Sequence, residues 1–135
     1  MKSDPTATEL HGGSPGMAIS NGMVQLVAKY TGRGPTKART TIGSADVLII
    51  LADTLTRGER ALVTAGFSEQ VLATRHMYQT AMRPEAIELV ETVTGRTVVG
   101  FMSDNNLDPD LGAEVFVLEP DGSTPTQLHE AASAD

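Results

Sequence analysis

The string Tyr30-Thr31-Gly32-Arg33 closes a helical pattern and opens a strand pattern, and Val93-Thr94-Gly95-Arg96 does the same in the second half of the chain. In both copies the glycine stands where a helix ends, because a left-handed C-terminal residue carries no penalty when it lacks a Cβ. Superposing the halves also aligns Leu26-Val27 with Leu89-Val90, and the order of elements matches. A punctuated unit that recurs suggests an internal duplication of a helix-plus-hairpin element.

The spacing predicts the elements of each half. Ile19, Met23, Leu26, Val27 and Tyr30 recur at helical intervals, giving a helix over 17–30. From Thr36 to Ile42 residues alternate, with Ala38, Thr40 and Ile42 on one side and Lys37, Arg39 and Thr41 on the other. Val47 to Leu51 is apolar on both faces, as a central or covered strand is, so the two form a hairpin around Gly43-Ser44. Thr56-Arg57-Gly58-Glu59 is a capping box that starts a short helix over 57–65. Ser68 is read as the cap of a further helix from Glu69 to Met82, which Pro84 breaks or kinks before helical spacing resumes over 85–93. Thr97 to Met102 and Ala113 to Glu119 read as two more strands, separated by a polar, Asx-rich connection.

The fold class expected is therefore α+β, with a four-stranded, mostly antiparallel sheet covered by helices on one face. The 135 residues divide into a flexible leader over 1–16, a single α+β domain over 17–119 and a flexible acidic tail over 120–135. Whether the two hairpins lie side by side is left open by the pattern.

Charge narrows the function. The formal net charge is −7, which opposes non-specific attraction to nucleic acid or anionic lipid. Beyond Arg96 there is no Lys or Arg, while Asp104, Asp108, Asp110, Glu114 and Glu119 are all acidic. Against that background Arg33, Lys37 and Arg39 form a basic strip suited to a phosphate, a carboxylate or an acidic protein segment, since guanidinium forks pair with oxyanions. Arg96 repeats Arg33 and joins the candidate ligand- or partner-binding set. The competing reading is an edge strand protected by charge from sheet-to-sheet aggregation.

Other chemistry finds little support. There is no cysteine, so neither thiolate catalysis nor a sulfur-ligated metal site is available. His11, His76 and His129 are scattered, and no cofactor or metal is expected. The Asp104-to-Asp110 segment resembles the start of a calcium loop, but Pro109 and Val115 stand where such a loop needs glycine and glutamate. The Gly32-to-Lys37 stretch lacks the spacing of a phosphate loop. Val47 to Ala52 is the longest apolar run and is far below the roughly 20 residues a membrane helix needs.

Taken together, Tyr30 to Arg39, Leu55 to Glu59, Thr94-Gly95-Arg96, Ser103-Asp104-Asn105, Asp108-Pro109-Asp110 and Glu114 to Leu118 resemble the MpsC-like bacterial domain family across about residues 17–120. That resemblance implies an association with a sodium-translocating, membrane-potential-generating system, and it implies no catalytic residues. The acidic tail and Pro84 depart from the family pattern. The expectation is a cytoplasmic binding or regulatory module that self-associates, with a dimer favoured, and engages an anionic ligand or protein partner. The partner implied is a membrane transport system. The alternatives are a structural subunit of a larger assembly and a small enzyme using Asp104 or Asp108 beside the arginines.

Overall fold

The computed structural model describes residues 14–34 and 37–120. The expected leader over 1–13, Pro35, Thr36 and the expected tail from Asp121 lie outside the described residues. In chain order the elements are α1 (Pro15–Thr31), β1 (Lys37–Ile42), β2 (Asp46–Ala52), α2 (Arg57–Thr64), α3 (Ser68–Thr94), β3 (Val98–Asn106) and β4 (Leu111–Leu118). All strand pairings are antiparallel and the order across the sheet is β1-β2-β4-β3. The two hairpins are thus adjacent, joined where β2 meets β4. This is the α+β architecture the spacing predicts.

α1 begins two residues earlier than its apolar periodicity. Ser14 caps it by accepting from the Met17 amide at 3.1 Å, and Pro15 occupies the first turn, where the missing N–H is no loss. Those residues had looked like part of a Gly/Ser/Pro leader. At its other end, Gly32 takes φ 83° and donates its N–H to the Ala28 carbonyl.

α1 and α3 lie on one face of the sheet and bury Ile19, Met23, Met82 and Val90 against Val47, Ile49 and Phe116. Each such side chain contributes about 1.5–3 kcal/mol through removal of apolar surface from water. Gly22 of α1 lies against Leu89 of α3. A Cβ there would stand 2.6 Å from Leu89 Cδ1.

α3 runs unbroken through Pro84, so of the expected break or kink the break does not occur. Proline removes the bond its N–H would have made to the Thr80 carbonyl, but Thr80 and Pro84 both face water, which can satisfy that carbonyl. Met82, Ala86 and Val90 are buried on either side of the gap and hold both segments to the core. The cap of α3 is Phe67, with no side-chain bond, so Ser68 is already helical.

β3 also exceeds its expected length, running through Asn106, which leaves a turn of only Leu107 to Asp110 before β4. The Asx residues Asp104 and Asn106 are exposed on this edge strand, where a polar side chain loses no solvation.

The repeated Thr-Gly-Arg units have the same structure. Thr31 Oγ1 donates to the Val27 carbonyl at 2.9 Å and Thr94 Oγ1 to the Val90 carbonyl at 2.7 Å. Each threonine then accepts from the arginine amide two residues on, and each glycine is left-handed. Arg33 reaches the carbonyl of Asp53, just past β2, while Arg96 reaches that of Glu119, just past β4. Each half is latched from its helix end to the end of its own second strand.

Candidate functional site

The segment Asp53 to Thr56, between β2 and α2, is held from several sides. Asp53 has φ 59°, a left-handed conformation that a short polar side chain tolerates better than most. Its N–H donates to the Asp110 carbonyl at 3.1 Å. The Asp110 carboxylate in turn accepts from Thr54 Oγ1 at 2.8 Å and from the Leu55 amide at 2.9 Å. The β3–β4 turn therefore grips the segment leading into α2 from beside the neighbouring strand.

Arg33 closes over this segment from the end of α1. Its Nη1 donates to the carbonyls of Asp53 at 2.6 Å and Leu55 at 3.2 Å, and its Nη2 to Asp53 Oδ2 at 3.0 Å. Arg60, on α2, pairs with Asp53 Oδ1 and lies 3.4 Å from Asp110 Oδ2. Together with Leu55 and Arg57 these arginines line a cleft of about 590 Å³. Arg57 is exposed and has no hydrogen-bond or ion-pair partner among the described residues. Arg33 and Arg60 share the carboxylates of Asp53 and Asp110 and Arg57 adds a third guanidinium, so the cleft carries a local positive excess.

Beneath the cleft lies a more deeply buried pair. Arg75 is 6% exposed and donates to both oxygens of Glu59, at 3.0 and 2.7 Å, to Thr54 Oγ1 at 3.0 Å and to the Thr54 carbonyl at 2.6 Å. Glu59 completes the capping box by accepting from the Thr56 amide at 2.8 Å, while Thr56 Oγ1 accepts from the Glu59 amide. Burial works against the Glu59 carboxylate, but the bonds from Arg75 and the Thr56 amide outweigh it and hold its pKa below the usual carboxylate range. The start of α2 is thereby fixed to α3. A Cβ on Gly58 would meet nothing nearer than Thr56 Oγ1 at 4.0 Å, so space is open beside the first turn of α2.

Glu114 is a second buried acid. It is 3% exposed on the helix-facing side of β4, opposite Ser103, and lines a small internal cavity with Arg75 and Gln79, although no ion pair joins it to Arg75. Burial pushes its pKa up to about 8, with the Ser103 hydrogen bond working weakly the other way.

The four basic residues singled out in the sequence occupy three places. Arg33 is in the cleft. Lys37 and Arg39 project from β1 on the face of the sheet that no described helix covers, in register with Ala52 and Ile50, and neither has an ion-pair partner among the described residues. Arg96 lies at the far end, where Nη1 donates to the Ser44 carbonyl at 2.6 Å and Nη2 to the Glu119 carbonyl at 2.9 Å. Its buried Nε has no hydrogen-bond partner among the described residues.

Arg57, Arg60, Asp53 and Asp110 escaped the sequence reading. One signal was present: the capping box places Arg57 and Arg60 in the first turn of α2. Neither carboxylate considered for acid–base chemistry forms an ion pair with the strip among the described residues. Asp104 stands at the opposite edge of the sheet, three strand spacings or about 14 Å from Arg39. Asp108 is exposed in the β3–β4 turn. No group of three or more His, Asp or Glu able to hold a metal ion occurs among the described residues.

The class defined is an α+β module of four antiparallel strands under helices, with an arginine-lined cleft at one end of the sheet. Residues 14–120 match the family model described as "Na+-translocating membrane potential-generating system (MpsC)", and the chain belongs to this family. No curated protein and no solved structure matches it. No described helix is long and apolar enough to cross a membrane.

Proposed function

We propose that this chain is a cytoplasmic binding module of a sodium-translocating, membrane-potential-generating system, working outside the bilayer and engaging an anionic group at the arginine cleft. The observation that carries this reading is the convergence of Arg33, Arg57 and Arg60 on one cleft whose floor is pinned by Asp110 and Arg75. A rigid floor lowers the ordering cost of binding, because the donors need not be collected when the ligand arrives. Arg57 offers an unsatisfied fork for a phosphate or carboxylate, and the Arg57 and Gly58 amides, at the helix start ahead of the capped Glu59 amide, add backbone donors. Lys37, level with Ala52 at the same end of the sheet, strengthens the positive field there.

Inorganic pyrophosphate is the probe for the test, read by calorimetry and by amide shifts at Leu55 and Gly58. Arg57→Ala is expected to weaken binding about tenfold, the value of one charge-assisted contact. Arg57→Lys should recover part of the loss, and added salt should weaken the wild type. Unchanged affinity in Arg57→Ala, or no shift at Leu55 and Gly58, would refute an anion site in this cleft.

A further inference from the structure

One face of the sheet is taken by α1 and α3. The opposite face is presented by alternate residues of all four strands, and no described helix packs on it. Register arranges these residues in rows. Thr41, Leu48, Val115 and Met102 form one row across the sheet, and Arg39, Ile50, Ala113 and Asp104 form the next. Met102 is 56% exposed and Val99, beside it on β3, 62%. The face is therefore aliphatic through its middle, carries Lys37 and Arg39 along β1, and carries the single carboxylate of Asp104 along β3.

We propose that a second copy of this chain covers this face, related by a two-fold axis parallel to the strands, with β1 of each subunit lying over β3 of the other. A rotation about that direction keeps each row level and reverses the order of strands. Arg39 then meets Asp104 of the partner subunit, and the large Ile50 meets the small Ala113 of the partner subunit. Leu48 meets Val115 of the partner subunit. Every contact occurs twice, as in any isologous interface. Sheets packed in this aligned way lie about 10 Å apart, within reach of an arginine side chain to a facing carboxylate.

The charge pattern selects the axis. A two-fold axis in the interface perpendicular to the strands would lay β1 over β1 and β3 over β3, so the two basic strands would face each other and Asp104 would have no cation above it, and like charges held together across an interface are strongly unfavourable. The aliphatic rows supply the attraction in either arrangement, but only the parallel axis makes the two charged edges complementary.

The test is sedimentation velocity of the full chain over a dilution series. The wild type is expected to form a dimer, and Arg39→Asp or Asp104→Arg alone should each weaken it about a hundredfold by creating two like-charge contacts. The double reversal R39D/D104R should restore it, a recovery that general surface damage does not give. A monomer at every concentration, a dimer indifferent to the single reversals, or no recovery in the double variant would each overturn the proposal. A monomer whose Leu48 and Val115 methyl groups are shielded from a soluble paramagnetic probe would also overturn it, since the chain's own residues would then cover the face. None of these variants touches the arginine cleft, so pyrophosphate binding is scored separately.

Discussion

Arg75→Ala is expected to lower the stability of the fold by about 3–5 kcal/mol, the scale for removing one partner from a buried ion pair. The loss exceeds that of a single contact because Arg75 serves several acceptors at once. Without it, Glu59 keeps a half-buried carboxylate with only the Thr56 amide against it, and the Thr54 carbonyl loses its donor. The start of α2 would come away from α3. Arg83→Ala makes the control. Arg83 lies over the Phe101 ring at 5.3 Å, on the exposed side of α3, and its removal should cost no more than about 1 kcal/mol. Urea unfolding of the two variants beside the wild type measures both, and similar losses would show that Arg75 is not the tie described.

The second large effect is a pH dependence set by Glu114. Its folded-state pKa is raised to about 8, above the ordinary value of 4.5, because burial disfavours the charged form. Between those two values the folded chain holds a proton that the unfolded chain has released. The stability this proton confers is fully present below the ordinary value and is lost as pH rises through about 8. The slope is at most about 1.4 kcal/mol per pH unit, and the whole change is on the order of 3–5 kcal/mol. Glu114→Gln, which keeps the shape and cannot ionise, should flatten the profile and be more stable than the wild type at pH 8. Thermal unfolding across this range reads the difference directly. Parallel profiles for the two proteins would mean that Glu114 is not the group responsible.

What could be read in the sequence is what depends on near neighbours. The alternation of Lys37 to Ile42, the apolar run in β2, the Thr56–Glu59 capping box and the glycine stops at Gly32 and Gly95 are local signals, and each corresponds to an observed feature. Pro84 misled because the proline rule concerns the backbone alone. Whether the freed carbonyl meets water depends on which side of α3 packs against the sheet. Asp104 to Asn106 misled in a similar way, since Asx residues signal a turn unless they fall on the exposed side of an edge strand.

The cleft was only half legible. Arg33 was picked out by its charge, but its acceptors lie about twenty residues away, beyond a hairpin. Asp110 reaches Thr54 and Leu55 only because β2 and β4 are neighbours, the one pairing that periodicity left open. Arg57 and Arg60 come into play only once α2 is seated by Arg75.

The strand order also governs how such a chain assembles in time. The two outer ladders, β1 with β2 and β3 with β4, each close a short loop and cost little chain entropy. The central ladder of β2 with β4 joins residues on either side of both α2 and α3, so it carries nearly all the long-range closure in the sheet. Local pairings form quickly, and distant ones wait on the diffusion of the intervening chain. The rate at which the native state is reached is therefore set at the seam between the halves, whatever the intrinsic speed of either hairpin.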